Sequence, residues 1–374
     1  LRFEALFRIS NFNRRCHRSL AAVSMMTASS GNAHPFIPLP SEDEEFWAFF
    51  EPVNLLVFKD QTTEHGYEYD YDLWSGRYSM NSISIGWIGT GVMGHSMCGH
   101  MIDAGHHVSV FNRTRRKAET LIQRGAQWCD TPQDAAQQSS IVFCMVGDPQ
   151  DVEQVTLGSR GVLAADMRGK IIVDMTTSRP DLAVTIHREA KAQGAAALDA
   201  PVSGGDIGAR NASLAIMVGG DKKDFDRVLP LFQLLGENIA YMGPAGMGQH
   251  TKMCNQVLIA GTMIGVVESL LYAQRTGLNL DAVIDVIGQG AAGSWAINNL
   301  GRRIAHNDFD PGFYIRHFVK DMGIALEEAR RMNLSLPGLA LVHQFYVAAI
   351  AQGDQELGTQ ALFKILARMN GQTS

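Results

Sequence analysis

Between residues 83 and 243, short apolar runs alternate with helical stretches, and that rhythm limits the fold more than any other feature of the chain. ISIGWI (83–88), HVSVFN (107–112), IVFCMV (141–146), KIIVDM (170–175), AAALDAPV (195–202), LAIMVGG (214–220) and NIAYMG (238–243) read as strands. IVFCMV and KIIVDM show no polar alternation, as expected where helices cover both faces of a parallel sheet. Strands alternating with helices imply an α/β fold built on a doubly wound parallel sheet. Beyond about Gly246 the strand signal stops, and 248–276, 281–288, 294–306, 313–332 and 337–351 read as helices. The expected organisation is an extension over 1–80, an α/β domain over 81–245 and an all-helical C-terminal domain over 246–374.

The extension has a character of its own. Residues 1–26 hold five arginines against one acid, as in an organelle transit peptide, whereas SEDEEFWAFFEP and EHGYEYDYDLW are acidic and aromatic. Met80 stands directly before NSISIGWIGTG, where the compact part should begin, so 1–80 read as transit-like, disordered or translated upstream sequence. The compact part reads as cytosolic, with organelle import the alternative if residues 1–26 are a transit peptide. A net charge of −6 argues against nucleic acid as a partner. Five scattered cysteines form no CxxC pair, and the twelve histidines no metal-ligand spacing, so no metal is expected. QVLIAGTMIGVVESLLYA (256–273) is the nearest approach to a membrane span, but Glu268 and its polar and glycine interruptions favour a core helix and no membrane partner.

The turn after the first strand is Gly89-Thr90-Gly91-Val92-Met93-Gly94, a G-x-G-x-x-G match. Alone such a match is weak; between a buried strand and a helix it reads as a dinucleotide-binding turn. Gly89 permits the tight turn, Gly91 lets the backbone approach a pyrophosphate, and Gly94 allows close helix–strand packing. The helix start then offers unpaired N–H groups to the phosphates. Where an NAD site usually places an acid at the end of the second strand, this chain has Asn112-Arg113-Thr114-Arg115-Arg116-Lys117. Arg113 and the Thr114 hydroxyl suit a 2′-phosphate, so NADP(H) is favoured, with NAD(H) the alternative. A solvated basic helix start is the plainer reading, though unfavourable at the positive end of a helix.

Between Glu237 and Glu268 the only permanently charged side chain is Lys252, at the start of a helix apolar on every face. The bland reading is a lysine snorkelling to solvent from the first turn.

Four segments in order, GTGVMG (89–94), DAPVSGGDIGA (199–209), GMGQHTKMCNQ (246–256) and FVKDMGIAL (318–326), resemble the β-hydroxyacid dehydrogenase family over roughly residues 82–370. The resemblance implies a Rossmann-type domain joined by a long helix to a helical domain, and hydride transfer between a nicotinamide and a small β-hydroxyacid or semialdehyde. It makes Lys252 the general acid/base, with Asn255 or Gln256 orienting lysine or substrate. Many family members have Asn-Asn where this chain has Asn-Gln. Ser203, Gly204 and Gly205 match a cradle for the substrate carboxylate; alone, Ser-Gly-Gly is a common connector. Val146, Thr177, Gly246, Gly248 and Lys320 match positions near the cofactor, Lys320 otherwise reading as half of a surface Lys-Asp pair. Family members associate through the helical domain, so a homodimer or homotetramer is expected. The alternatives are an imine reductase-like enzyme, which generally lacks the lysine, or a non-catalytic NADP-binding interaction module. Cys254 reads as a small buried hydrophobe, and Trp295, Phe313 and Phe318 as core or cleft lining.

Overall fold

The computed structural model describes residues 69–72, 77–80 and 82–372. The expected extension thus lies outside the described residues, except for a hairpin in which Tyr69–Asp72 pairs antiparallel with Arg77–Met80.

Among the described residues nine strands form the main sheet. They are β1 (Ser84–Ile88), β2 (His107–Phe111), β3 (Gln127–Trp128), β4 (Ile141–Cys144), β5 (Ile171–Asp174), β6 (Ala196–Asp199), β7 (Val202–Ser203), β8 (Leu214–Gly219) and β9 (Gly236–Gly243). Their order is β9-β8-β6-β5-β4-β1-β2-β3, with β7 against β8. The pairings among β1 to β6 are parallel. β8 runs antiparallel to β6 and β7 and parallel to β9, so the sheet is parallel-dominated and not wholly parallel as expected. The cause is loop length. Only ten residues separate Ser203 from Leu214, fewer than a parallel crossover needs. AAALDAPV also splits in two around Pro201, which has no N–H to give to a ladder.

Every residue of β4 and β5 is buried, which explains their unbroken apolar character. Trp87, Phe143 and Phe232 fill one face of the sheet, and Ile88, Val142 and Ile172 the other. Helices α1 (Val92–Asp103), α2 (Glu119–Gln123) and α3 (Pro132–Gln137) alternate with β1 to β4. α4 (Pro149–Leu157), α5 (Pro180–Ala192), α6 (Gly205–Arg210) and α7 (Lys222–Phe232) follow β4, β5, β7 and β8. The basic stretch after β2 is shorter than expected as an α-helix: Arg115–Ala118 is a 3₁₀ turn running into α2. Because β4 lies on the opposite side of β1 from β2, the chain reverses its winding there, leaving a crevice beyond the carboxyl ends of β1 and β4.

From Met247 onward the described residues are helical: α8 (Met247–Arg275), α9 (Leu280–Ile287), a π-helical segment (Ala296–Gly301) running into α10 (Arg302–Ala305), α11 (Ile315–Arg331), α12 (Pro337–Ala351) and α13 (Leu362–Met369). α8 spans 29 residues, about 43 Å at 1.5 Å per residue. It is long and apolar enough to cross a membrane, yet it packs on β8 and β9 at one end and on α11, α12 and α13 along its length. Met263, Val267 and Leu270 join Phe318 and Tyr346 in one core. Burial is one-sided, against the expectation from its composition: Cys254, Leu258, Gly261, Gly265, Glu268 and Tyr272 form an exposed stripe. Trp295 is likewise exposed.

The start of α8 is wedged against the sheet. A Cβ on Gly248 would come within 2.4 Å of the Met217 carbonyl oxygen and 2.5 Å of that of Asp199, both backbone atoms. Gly248→Ala should therefore destabilise the protein by about 1–3 kcal/mol through overpacking. Thermal unfolding would show this as a loss of roughly 2–4 °C per kcal/mol. An unchanged Tm would mean that the helix start is not held in this way.

Candidate active site

The glycine loop has the geometry that a phosphate cradle requires. Gly89 has a left-handed φ of +97°, and a side chain there would strike the Met145 carbonyl oxygen at 2.2 Å. A Cβ on Gly94 would meet the Gly89 oxygen at 2.2 Å, so loop and helix close on each other. Gly91, by contrast, opens on space: nothing lies within 4 Å of where its Cβ would be. It precedes α1, whose first turn has neither a side-chain cap nor an acid, leaving N–H groups and the positive helix end open to an anion. Thr90 Oγ1 is buried with no hydrogen-bond partner among the described residues. These features fit a dinucleotide pyrophosphate. Asn112 braces the loop: its Oδ1 accepts from Thr90 N at 3.0 Å and its Nδ2 donates to the Thr114 oxygen at 2.9 Å. Arg113 and Thr114 stand exposed beside it, as do Val92 and, in part, Met93. Val146, beyond β4, donates its N–H to Thr176 Oγ1 at 3.0 Å.

A second centre forms where α8 begins. Gly246, with φ +90°, precedes the helix, which no side chain from its own loop caps. The cap comes from the sheet. Asp199, at the end of β6, accepts from Gly246 N at 2.7 Å and from Gln249 N at 2.8 Å. The fully buried Gln249 extends the clamp to the β5–α5 loop, accepting from Ser178 N at 2.9 Å and donating to the Thr176 oxygen at 2.7 Å. So fixed, the helix places Lys252 at 6 % exposure. Burial pushes its ammonium down to about 8; Lys320 adds to that, and Asp321 pulls the other way.

Around Lys252 runs a chain of polar contacts from both halves of the protein. Ser203 Oγ donates to Asn255 Oδ1 at 3.4 Å, and Asn255 Nδ2 to Gln256 Oε1 at 2.7 Å. Gln256 Nε2 donates to Asp321 Oδ2 at 2.6 Å. Lys320 Nζ lies 2.9 Å from Asp321 Oδ1 and donates to the Thr177 oxygen at 2.6 Å. The contact with Oδ1 is an ion pair without hydrogen-bond alignment, so that oxygen stays unpartnered. Gly204 (φ +133°) and Gly205 (φ +62°) turn the backbone after Ser203 into α6. The carbonyl oxygen of Gly312, from the helical half, lies 3.4 Å from where a Cβ on Gly205 would be.

The structure thus links Ser203, Asn255, Gln256, Lys320 and Thr177 through Asp321 in one network. Lys252 is on the same helix start, within the electrostatic reach of Asp321 and Lys320, and the glycine loop, Asn112 and Arg113 lie along the sheet edge. Three residues of this arrangement escaped sequence reasoning. Asp321, which the plainer reading of Lys320 makes half of a surface pair, is 1 % exposed. The signal was its place between Phe318 and Met322, on the buried stripe of α11. Asp199 and Gln249 left no chemical signature, since they act on backbone groups. Cys254, expected to be buried, is exposed on the opposite face of α8. No cluster of three or more His, Cys, Asp or Glu suited to a metal occurs among the described residues.

Comparison with known proteins defines the class. Residues 84–243 match the family described as the NAD binding domain of 6-phosphogluconate dehydrogenase. Residues 246–366 match the one described as NAD-binding of NADP-dependent 3-hydroxyisobutyrate dehydrogenase. An uncharacterized oxidoreductase of Bacillus subtilis is 52 % identical over 75 % of this chain and 98 % of its own. A probable mitochondrial 3-hydroxyisobutyrate dehydrogenase-like protein of Arabidopsis thaliana is 51 % identical over 78 % of this chain and 87 % of its own. The solved structure of Mycobacterium tuberculosis 3-hydroxyisobutyrate dehydrogenase with L-serine superposes with a TM-score of 0.71 at 29 % identity, covering 76 % of this chain and 99 % of that one. The chain belongs to the β-hydroxyacid dehydrogenase family and is an NAD(P)-dependent oxidoreductase.

Beneath the site lies a buried acid pair. Asp174 and Asp199 are register partners at the ends of β5 and β6. Burial pushes the Asp174 carboxyl up to about 7, Thr176 opposing the shift and Asp199 adding to it. In the unfolded chain it ionises near 3.8, so the native state holds the proton more tightly and loses stability as pH rises from about 4 to 7. Asp174→Asn keeps an acceptor for the Thr176 N–H, at 3.0 Å from Oδ1, and removes the charge. Its stability advantage over the wild type should grow across that window and level off above it, in urea unfolding at a series of pH values. A difference independent of pH would contradict the assignment.

Proposed function

We propose that the protein interconverts a small β-hydroxyacid and its semialdehyde, of the 3-hydroxyisobutyrate or 2-hydroxy-3-oxopropionate type, with NADP(H) preferred and Lys252 as general acid/base. One observation carries the reading: a buried lysine with a depressed pKa, held at the junction of the glycine-loop domain and the helical domain. When bound, the nicotinamide supplies or takes up the hydride. As the carbonyl is reduced, Lys252 Nζ–H donates to its oxygen; in oxidation the neutral amine removes the hydroxyl proton. A pKa near the working pH suits both directions. Ser203 Oγ, with the backbone of Gly204 and Gly205, holds the substrate carboxylate. Asn255 positions Ser203, Gln256 holds Asp321, and Lys320 draws the helical domain onto the Thr177 loop. Gly246 and Gly248 let the start of α8 come close to the sheet edge, where the nicotinamide end of the cofactor belongs. The exposed stripe of α8, apolar apart from Glu268, supports a homodimer or homotetramer. The cytosol is the proposed location; the mitochondrial relative, with the five arginines of residues 1–26, supports organelle import as the second reading.

The test is NADPH and NADH consumption with a panel of short semialdehydes and glyoxylate. Lys252→Ala should lower kcat by about a hundredfold or more, the usual range for an acid–base group, with cofactor affinity nearly intact. Near-normal turnover in that variant would remove the lysine from the mechanism. Arg113→Ala should weaken NADPH selectively, and an equal loss with NADH would mean that no 2′-phosphate contact exists.

A further inference from the structure

An ion pair crosses the mouth of the dinucleotide site. Arg113, just past β2, meets Asp151, in the first turn of α4, with Nη1 3.2 Å from Oδ1. α4 follows β4, and the sheet order β4-β1-β2 puts β1 and its glycine loop between the two partners. The pair therefore spans the carboxyl end of β1, where the adenosine half of a dinucleotide lies in a Rossmann site. Its members are unequally held. The Arg113 side chain is 84 % exposed and free to swing, whereas that of Asp151 is 25 % exposed. Asp151 sits in a turn fixed by Pro149 and by its own N–H to Asp148 Oδ1 at 2.9 Å.

We infer that Asp151 sets the cofactor preference of the site, accepting a hydrogen bond from a ribose 2′-hydroxyl and competing with a 2′-phosphate for Arg113. This rests on the proposed role of Arg113. The acid that an NAD site usually carries at the end of β2 is replaced here by Asn112, and Asp151 brings a carboxylate from α4 to the guanidinium of the residue that follows it. With a 2′-hydroxyl, the carboxylate gains a donor and keeps its guanidinium. With a 2′-phosphate, like charges meet and Arg113 must leave Asp151 to pair with the phosphate. Asp151 thus holds the protein back from strict NADPH specificity.

Calorimetric titration of the full chain with NADPH and with NADH, free of substrate, tests this. Asp151→Asn should tighten NADPH by about two- to fivefold, the scale of an exposed charge pair. It should weaken NADH by about threefold or more through loss of a charge-assisted acceptor. The gain for NADPH should shrink at high salt. A ratio of the two dissociation constants within twofold of wild type would overturn the inference, even if Arg113→Ala weakened NADPH alone and so upheld the role of Arg113. Equal loss of both cofactors in Arg113→Ala would overturn that role and with it the competition for the guanidinium. A selective NADH loss in Asp151→Asn would still establish the hydroxyl contact.

Discussion

The carboxylate of Asp199 on the first turn of α8 is the contact on which the rest of the site depends. A long helix leaving a sheet has unpaired N–H groups at its start, and here no residue of its own loop serves them. Asp199 takes two of them from the end of β6, and Gln249 ties the same turn to the loop after β5. The close approach at Gly248 leaves no slack between helix and sheet. Lys252 lies about one turn further on, so its ammonium has a fixed height relative to both the glycine loop and the Ser-Gly-Gly turn. Such pre-organisation is what acid–base chemistry requires of a positioned group.

Fixing a cation in a buried place carries an electrostatic cost, and the surrounding charges show how it is shared. Asp321 opposes the desolvation of Lys252 without pairing with it directly, because its carboxylate is engaged by Gln256 and Lys320. A direct ion pair would hold the proton on the lysine. A carboxylate one step removed leaves the amine near its point of exchange. The same contacts join the two halves of the protein: Lys320 and Asp321 come from α11, while Thr177 and Ser203 come from the sheet edge.

Much of this was legible in the sequence because it rests on backbone demands. The unbroken apolar runs of β4 and β5, the three fingerprint glycines and the lone lysine at the head of an apolar helix each admit few structures. What stayed hidden depends on distant partners. The reversal of β8 follows from a ten-residue link, a matter of reach that strand patterns do not encode. Asp199 serves backbone N–H groups 47 and 50 residues away, and no residue type marks such an arrangement. The exposed stripe of α8, including Cys254, was invisible because, apart from Glu268, its residues match the buried faces in composition. Asp321 stayed hidden for the opposite reason: an acid beside a lysine at a helix start also fits a surface pair.

The central claim is that a depressed Lys252 carries the proton of the reaction. Measuring kcat/KM against pH in both directions, on wild type and Lys252→Met, tests it most directly. Reduction should fall and oxidation should rise through one ionisation near 8, where burial places the lysine. The residual activity of the variant should lack both limbs. A wild-type profile flat across that range, or limbs that persist without Lys252, would contradict the account.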